Sequence, residues 1–328
     1  MTFTHKPITQ IWTALLLGAV LLFPAVAWSA SCCGGGSASS LVLPKFSSAM
    51  IDLSFDIETY NGFWDKSGNY VPNPEGSDLK QFRLNTGYAH RFASRWQGSV
   101  ILPYVWNENN YTGVKSSTNG VGDAAFSFWY EAFDNVMCVW KVRSFEDLKP
   151  ATYFGLTLTI PTGLSPYDDI ENSFDVTGRG FYRLDGTINM EKTIYPWTAG
   201  ILLSYGTHFE RAVNREYGNF VKPYQKTMGD RKLATISAGY TYNLSMMDTM
   251  TMTIAYSDLA EEPGTIDGQE NPATGFRKRS TSATLAYSNP DKDKIYKIVW
   301  NHSINNDGWG ENFPTTEIIT LGATYVFR

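Results

Sequence analysis

Apolar and polar residues alternate along most of this chain with a period of two. The pattern is cleanest at the start, where Ile51, Leu53, Phe55 and Ile57 interleave with Asp52, Ser54, Asp56 and Glu58. That spacing puts the two sets on opposite faces of a β-strand. A second strand near Phe82–His90 sets Phe82, Leu84 and Tyr88 against Arg83, Asn85 and Gly87, and a third places Trp96, Val100, Leu102, Tyr104 and Trp106 together. A fourth follows Gly120–Asp123 with Phe126, Phe128 and Tyr130 opposite Ser127 and Glu131. A fifth sets Phe154, Leu156 and Leu158 against Thr157 and Thr159. A sixth sets Tyr182, Leu184, Ile188 and Met190 against Arg183, Asp185, Asn189 and Glu191, and a seventh runs from Trp197 to Tyr205. Five more follow: Ala234–Tyr242, Met250–Tyr256, Thr281–Tyr287, Tyr296–His302 and Leu321–Phe327.

Each run has roughly the nine to eleven residues that a tilted strand needs to cross a bilayer. Short turns near Ala93, Tyr195, Met246 and Pro290 alternate with polar loops near 61–79, 107–120, 163–179, 210–231, 259–278 and 303–314. The expected fold is all-β: a transmembrane, antiparallel, up-and-down barrel of about twelve strands, with short turns on one side and long loops on the other. Both termini then fall on the side of the turns. The stretch 134–150 breaks the pattern, because it is long yet lies on the turn side. Its Val136, Met137, Val139 and Trp140 predict a short packed element at the lower mouth.

A soluble β-sandwich or lipocalin-like barrel would also alternate. The polar faces here carry charged and small residues throughout, which would make a poor core for a soluble barrel. With lipid outside, the same faces line the interior. Aromatic residues make up 15% of the chain. They gather at strand ends, with Trp96, Trp197, Tyr242 and Tyr287 beside the turns and Tyr104, Trp106, Tyr205, Tyr256 and Trp300 toward the loops. Trp and Tyr settle at membrane interfaces because an apolar ring carries a polar tip. The last strand, Ala323 to Phe327, ends on an aromatic residue followed by Arg328.

The 328 residues divide into three segments. Residues 1–30 read as a signal peptide, with Lys6 before an apolar Ile11–Val26 and small residues at Ala25, Ala27 and Ser29. A Cys/Gly/Ser-rich tether spans 31–47, and the barrel spans 48–328. Export to the Gram-negative outer membrane follows, with membrane lipid and the barrel-assembly machinery as the implied partners. Cys32, followed by Cys33 and a Gly/Ser run, is a lipidation candidate, although Ser29 stands where such signals carry Leu. A bridge to Cys138, a soft-metal site and no role at all remain the alternatives.

The net charge of −5 provides no basic patch, so nucleic acid is not an expected partner. Candidate interior residues are Asp52, Asp56, Glu58, Arg83, Glu131, Arg183, Asp185 and Glu191. Counting register puts Arg83 near Asp56 and Glu58, and Arg183 opposite His208. Inward charges can line a solute path, or pair only to hold the wall shut. Catalysis is not expected. The chain has 4 His, and in Asn301-His302-Ser303 the base and the hydroxyl point to opposite faces of a strand. No metal or cofactor is expected either; Met250 and Met252 read as packing on the outward face beside Met246-Met247.

From Gly120 to about Arg211, near a third of the chain, the sequence resembles a family of outer-membrane proteins named for the meta-pathway of phenol degradation. The matching features are Gly120-Val121-Gly122-Asp123, Leu158-Thr159-Ile160-Pro161-Thr162-Gly163, Thr177-Gly178-Arg179-Gly180, Pro196-Trp197 and Tyr205-Gly206. The resemblance implies an outer-membrane channel or transporter for small, often hydrophobic or aromatic molecules. The alternatives are a structural or metal-handling barrel with a lipid-anchored N-terminus, or an outer-membrane lipid-modifying enzyme.

Overall fold

The structure is a computed structural model. It describes residues 41–328 apart from 66, 134–136, 245–247, 306–307 and 311–312. The signal peptide, Cys32, Cys33, most of the tether and Met246-Met247 therefore lie outside the described residues.

The chain forms a closed antiparallel barrel of twelve wall strands. In wall order these are β1 (Ala49–Trp64), β3 (Asp78–Ala93), β4 (Trp96–Tyr111), β6 (Ala124–Glu131), β8 (Ala151–Ile160), β9 (Arg183–Ile194), β10 (Trp197–His208), β13 (Arg231–Asn243), β14 (Thr249–Glu261), β17 (Phe276–Ser288), β18 (Lys294–Ser303) and β19 (Phe313–Phe327). The last strand pairs with the first, from Ala49 opposite Phe327 to Trp64 opposite Phe313. Closure leaves no open edge for another chain to extend. All the neighbouring wall pairs are antiparallel, and the two ends of the barrel chain meet on the side of the short turns.

Alternation decides which face points where. Ile254, Met252, Ile236, Phe128 and Phe126 are all exposed on the outer surface. Asp56, Gln97, Ser127, Asp185 and Thr320 from alternate positions are buried inside. Inward hydroxyls bridge neighbouring strands, as in Ser127–Thr157 at 2.8 Å, Thr187–Ser204 at 3.0 Å and Thr235–Ser257 at 2.9 Å. Around the outside, aromatic pairs cluster at the strand ends: Trp96–Tyr130 and Trp197–Tyr240 near the turns (both 4.8 Å), and Tyr104–Trp106 (4.7 Å) toward the loops.

Several segments read as loops are strand instead. β5 (Val114–Val121) pairs with the outer half of β4, so 107–120 is a hairpin that continues the wall. Residues 210–231 hold the hairpin of β11 (Arg211–Glu216) and β12 (Asn219–Thr227). Residues 259–278 hold β15 (Gly264–Ile266) and β16 (Gln269–Asn271), and these four strands form a second, smaller sheet. A short β2 (Tyr70–Pro72) folds back on β1. The hairpin turns share one device: Thr112-Gly113, Tyr217-Gly218 and Asp267-Gly268 each have two successive residues at positive φ, between 46° and 89°. Two left-handed residues match the twist of the flanking strands, and glycine takes the second place at no steric cost.

At the turn end the interior is packed with apolar side chains. Residues 41–47 enter it ahead of β1, with Leu43 against Met50, Ala89, Ala286, Ile295 and Val326. Val42 packs on Trp129, Ala151 and Tyr153. The Leu43 amide donates to Gln97 Oε1 at 2.5 Å, and Lys45 pairs with Glu131 at 3.3 Å. The expected packed element in 134–150 takes a different place. β7 (Cys138–Val139) adds in parallel beside Thr193–Ile194 of β9, and the Trp140 ring lies tilted against Tyr195, with centroids 4.3 Å apart. Met137 touches the Val42 cluster. The segment that enters the lower mouth is 41–47, whose short apolar run Leu41-Val42-Leu43 follows a Gly/Ser stretch and has too few residues to show a period.

Candidate functional site: the barrel interior

Two charged groups face the interior. The first lies on β1, β3 and β19. Asp56 is wholly buried and accepts from Asn85 Nδ2 at 2.9 Å and Thr320 Oγ1 at 2.7 Å. Arg83, opposite it in register, reaches Asp56 at 3.4 Å and Glu58 at 3.1 Å and also donates to Gln81. Toward the turns, Asp52 pairs with Lys297 at 3.3 Å. Glu131 takes Arg91 at 3.5 Å besides Lys45. Buried ions in such numbers persist because each carboxylate has a cation or several donors within reach.

The second group sits at the loop end on β9, β10, β13 and β14. One row across the wall runs Asp185, Gly206, Arg231, Glu261. Asp185 lies over Gly206, where an added Cβ would come within 2.1 Å of its Oδ1. The missing side chain lets the carboxylate reach Arg183 Nε at 2.8 Å and come within 4.0 Å of Arg231. His208 stands opposite Arg183, and its Nδ1 lies 2.9 Å from the Gly229 carbonyl.

A strap, residues 161–182, crosses between these walls. Its two ends are tied together at Asp123, whose carboxylate accepts the amides of Gly163 at 3.1 Å and Arg179 at 2.7 Å. Asn107 and Asn109 on the inner face of β4 donate to the carbonyls of Val176 and Phe174. From the residue whose amide rests on Asp123, the Arg179 guanidinium reaches across to the opposite wall and forms a two-bond pair with Glu261 at 2.6 and 2.7 Å. Glu261 has almost no exposure, so this fork is the strong, charge-assisted kind. Above it, Tyr167, Phe181 and Val213 form an apolar cap, with the Arg211 guanidinium 4.9 Å from the Tyr167 ring.

Of the residues singled out from sequence, Asp56, Glu58 and Arg83 come together, as do Arg183 and Asp185, while Asp52 lies apart with Lys297. Glu131 belongs to the turn-end packing, and half-buried Glu191 stands between Gly200 and Ala151. Sequence reading missed Arg179, Arg231, Glu261, Lys278 and Lys297. Strand parity marks Lys278 and Lys297 as inward, since each alternates with outward residues of its own strand. Nothing local marks Arg179. His302 and Ser303 fall on opposite faces, with Ser303 buried.

No protein-family model and no curated protein sequence matches the chain. Solved structures do. An outer membrane channel from Pseudomonas putida F1 superposes with a TM-score of 0.67 at 13% identity, covering 90% of this chain and 99% of that one. The shared feature is the fold. Looser likeness extends to the β domain of the Bordetella autotransporter BrkA (TM-score 0.49, 11% identity, 86% of this chain and 100% of that one) and to the NanC porin (0.43, 10%, 84% and 98%).

Proposed function

We propose that this protein is a channel of the Gram-negative outer membrane for small molecules, hydrophobic or aromatic ones among them. The observation that carries the reading is the inversion of the wall, with large apolar side chains outside and charged, hydrogen-bonded ones inside. A barrel stable in water would reverse that arrangement. The interior has the two elements of a solute path: charged groups that hold water, and narrowing structures at both ends, the 41–47 segment and the strap. The nearness in fold to a protein described as an outer membrane channel supports the same reading. The hydrophobic or aromatic cargo rests on the sequence resemblance.

Reconstitution into planar bilayers tests this. Discrete conductance steps are expected, larger in a variant lacking residues 41–47. Arg83→Gln is expected to shift ion selectivity, because it leaves Asp56 and Glu58 without their cation. Silence from both the full chain and the shortened one would overturn the channel reading, and unchanged selectivity would remove Arg83 from the path. Export and processing belong to the same proposal. Mass spectrometry of the mature protein is expected to show loss of the leader, and acyl mass on Cys32 if the anchor forms.

A further inference from the structure

We infer that the loop end of the interior is a binding site for a small hydroxylated carboxylate, held by Arg231, Arg183 and His208. The argument begins with which donors are already used. In the first charged group, Arg83 spends its guanidinium on Asp56, Glu58 and Gln81. In the second, Arg179 is taken by Glu261 through both of its terminal nitrogens. Arg231 differs, because the nearest acid is Asp185 at 4.0 Å, and that carboxylate is already committed to Arg183 Nε at 2.8 Å. An arginine offers five N–H donors, and among the described residues most of those on Arg231, together with the terminal nitrogens of Arg183, have no acceptor. Their side chains keep 22% and 17% of their surface accessible.

His208 provides the second, independent observation. The Gly229 carbonyl can only accept, so Nδ1 carries the proton of the 2.9 Å contact, and Nε2 of the neutral ring is a bare acceptor. The residue is 6% exposed, and Nε2 has no partner among the described residues. Other buried side-chain atoms among the described residues share this condition, and each asks for its own reason. Here the strand register supplies one: His208 faces Arg183 directly and Arg231 diagonally. Such neighbours are roughly 5 Å and 7–8 Å apart, the span of a small molecule with two functional groups. Two guanidiniums suit one planar carboxylate bridging them. A hydroxyl on the same molecule would donate to Nε2. The nearby Asp185 and Glu261 disfavour a dianion, which separates a carboxylate from a phosphate. The site deepens the channel reading by naming a class of solute, yet binding can be read without transport.

The test is calorimetry on the full-length protein in detergent with mandelate, phenylacetate and mandelamide as probes. Mandelate is expected to bind best. Phenylacetate, lacking the hydroxyl, and mandelamide, lacking the charge, should each be weaker by about tenfold, the loss of one hydrogen bond to a charged or buried partner. Arg231→Gln should reduce mandelate to the affinity of mandelamide, and His208→Leu should erase the difference between mandelate and phenylacetate. Because the probe series is read on the unaltered protein, failure of either variant to fold does not remove the test. Equal affinity for the three probes, no binding of mandelate at millimolar concentration, or displacement by equimolar inorganic phosphate would each overturn the assignment. Conductance without mandelate binding sinks the site alone, and binding without conductance sinks the channel and leaves the site standing.

Discussion

One methyl group is all that separates a packed wall from a strained one at Gly155. The indole of Trp129, on the neighbouring strand, lies directly over it, and a Cβ there would come within 2.5 Å of the ring. Trp129 is itself buried against Val42, Ala151 and Tyr153, so it has little room to swing aside. Gly155→Ala is expected to destabilise the barrel by about 1–3 kcal/mol, the usual cost of overfilling a packed site. The reading is a lower urea midpoint with altered tryptophan emission; an unchanged midpoint would mean that the indole moves freely. Half of this arrangement is legible in the sequence. Placing Phe126, Phe128 and Tyr130 outward forces Trp129 inward by parity alone. Its partner glycine is not legible, because the chain between β6 and β8 is a long insert whose length says nothing of register.

The strap is held to one wall by Asp123, Asn107 and Asn109, and to the opposite wall by one ion pair. That pair joins the Arg179 guanidinium to Glu261, a carboxylate with almost no exposure. Removing the cation alone would leave that charge buried and unpaired. Arg179→Gln is therefore expected to cost about 3 kcal/mol, the lower end of the range for a broken buried pair because the guanidinium is partly open to solvent. Arg179→Gln with Glu261→Gln should recover most of the loss, since the orphan charge is then gone. Urea midpoints of the single and double variants decide it, and equal midpoints would mean that the pair contributes little. The wall strands around the strap were readable because lipid and interior impose a period of two on every one of them. The strap has no such constraint: it meets polar groups on both walls, so its sequence carries no period. The pair joins residues 82 apart. The upper hairpins were missed for a related reason. Asn107 to Asn110 are polar on both faces, which looks like a loop although the ladder continues, and only the Gly at each turn betrays them.

For the whole molecule the question is which way the wall faces, and here sign matters more than size. Ile254 lies near the middle of β14, points outward and is among the most exposed large apolar residues. Ala255, next to it, points inward beside Ser237 and Ser282. If lipid surrounds the barrel, Ile254→Arg brings a charge into hydrocarbon and should cost about 2–4 kcal/mol, whereas Ala255→Lys reaches a polar interior and should cost far less. Were the same barrel folded in water, the order would reverse: arginine at an exposed position is tolerated, and lysine in the core is not. Urea unfolding from lipid vesicles gives the two midpoints on one scale. A lower midpoint for Ile254→Arg than for Ala255→Lys is the expected order, and the opposite order would undo the membrane reading together with every inward assignment that follows from it.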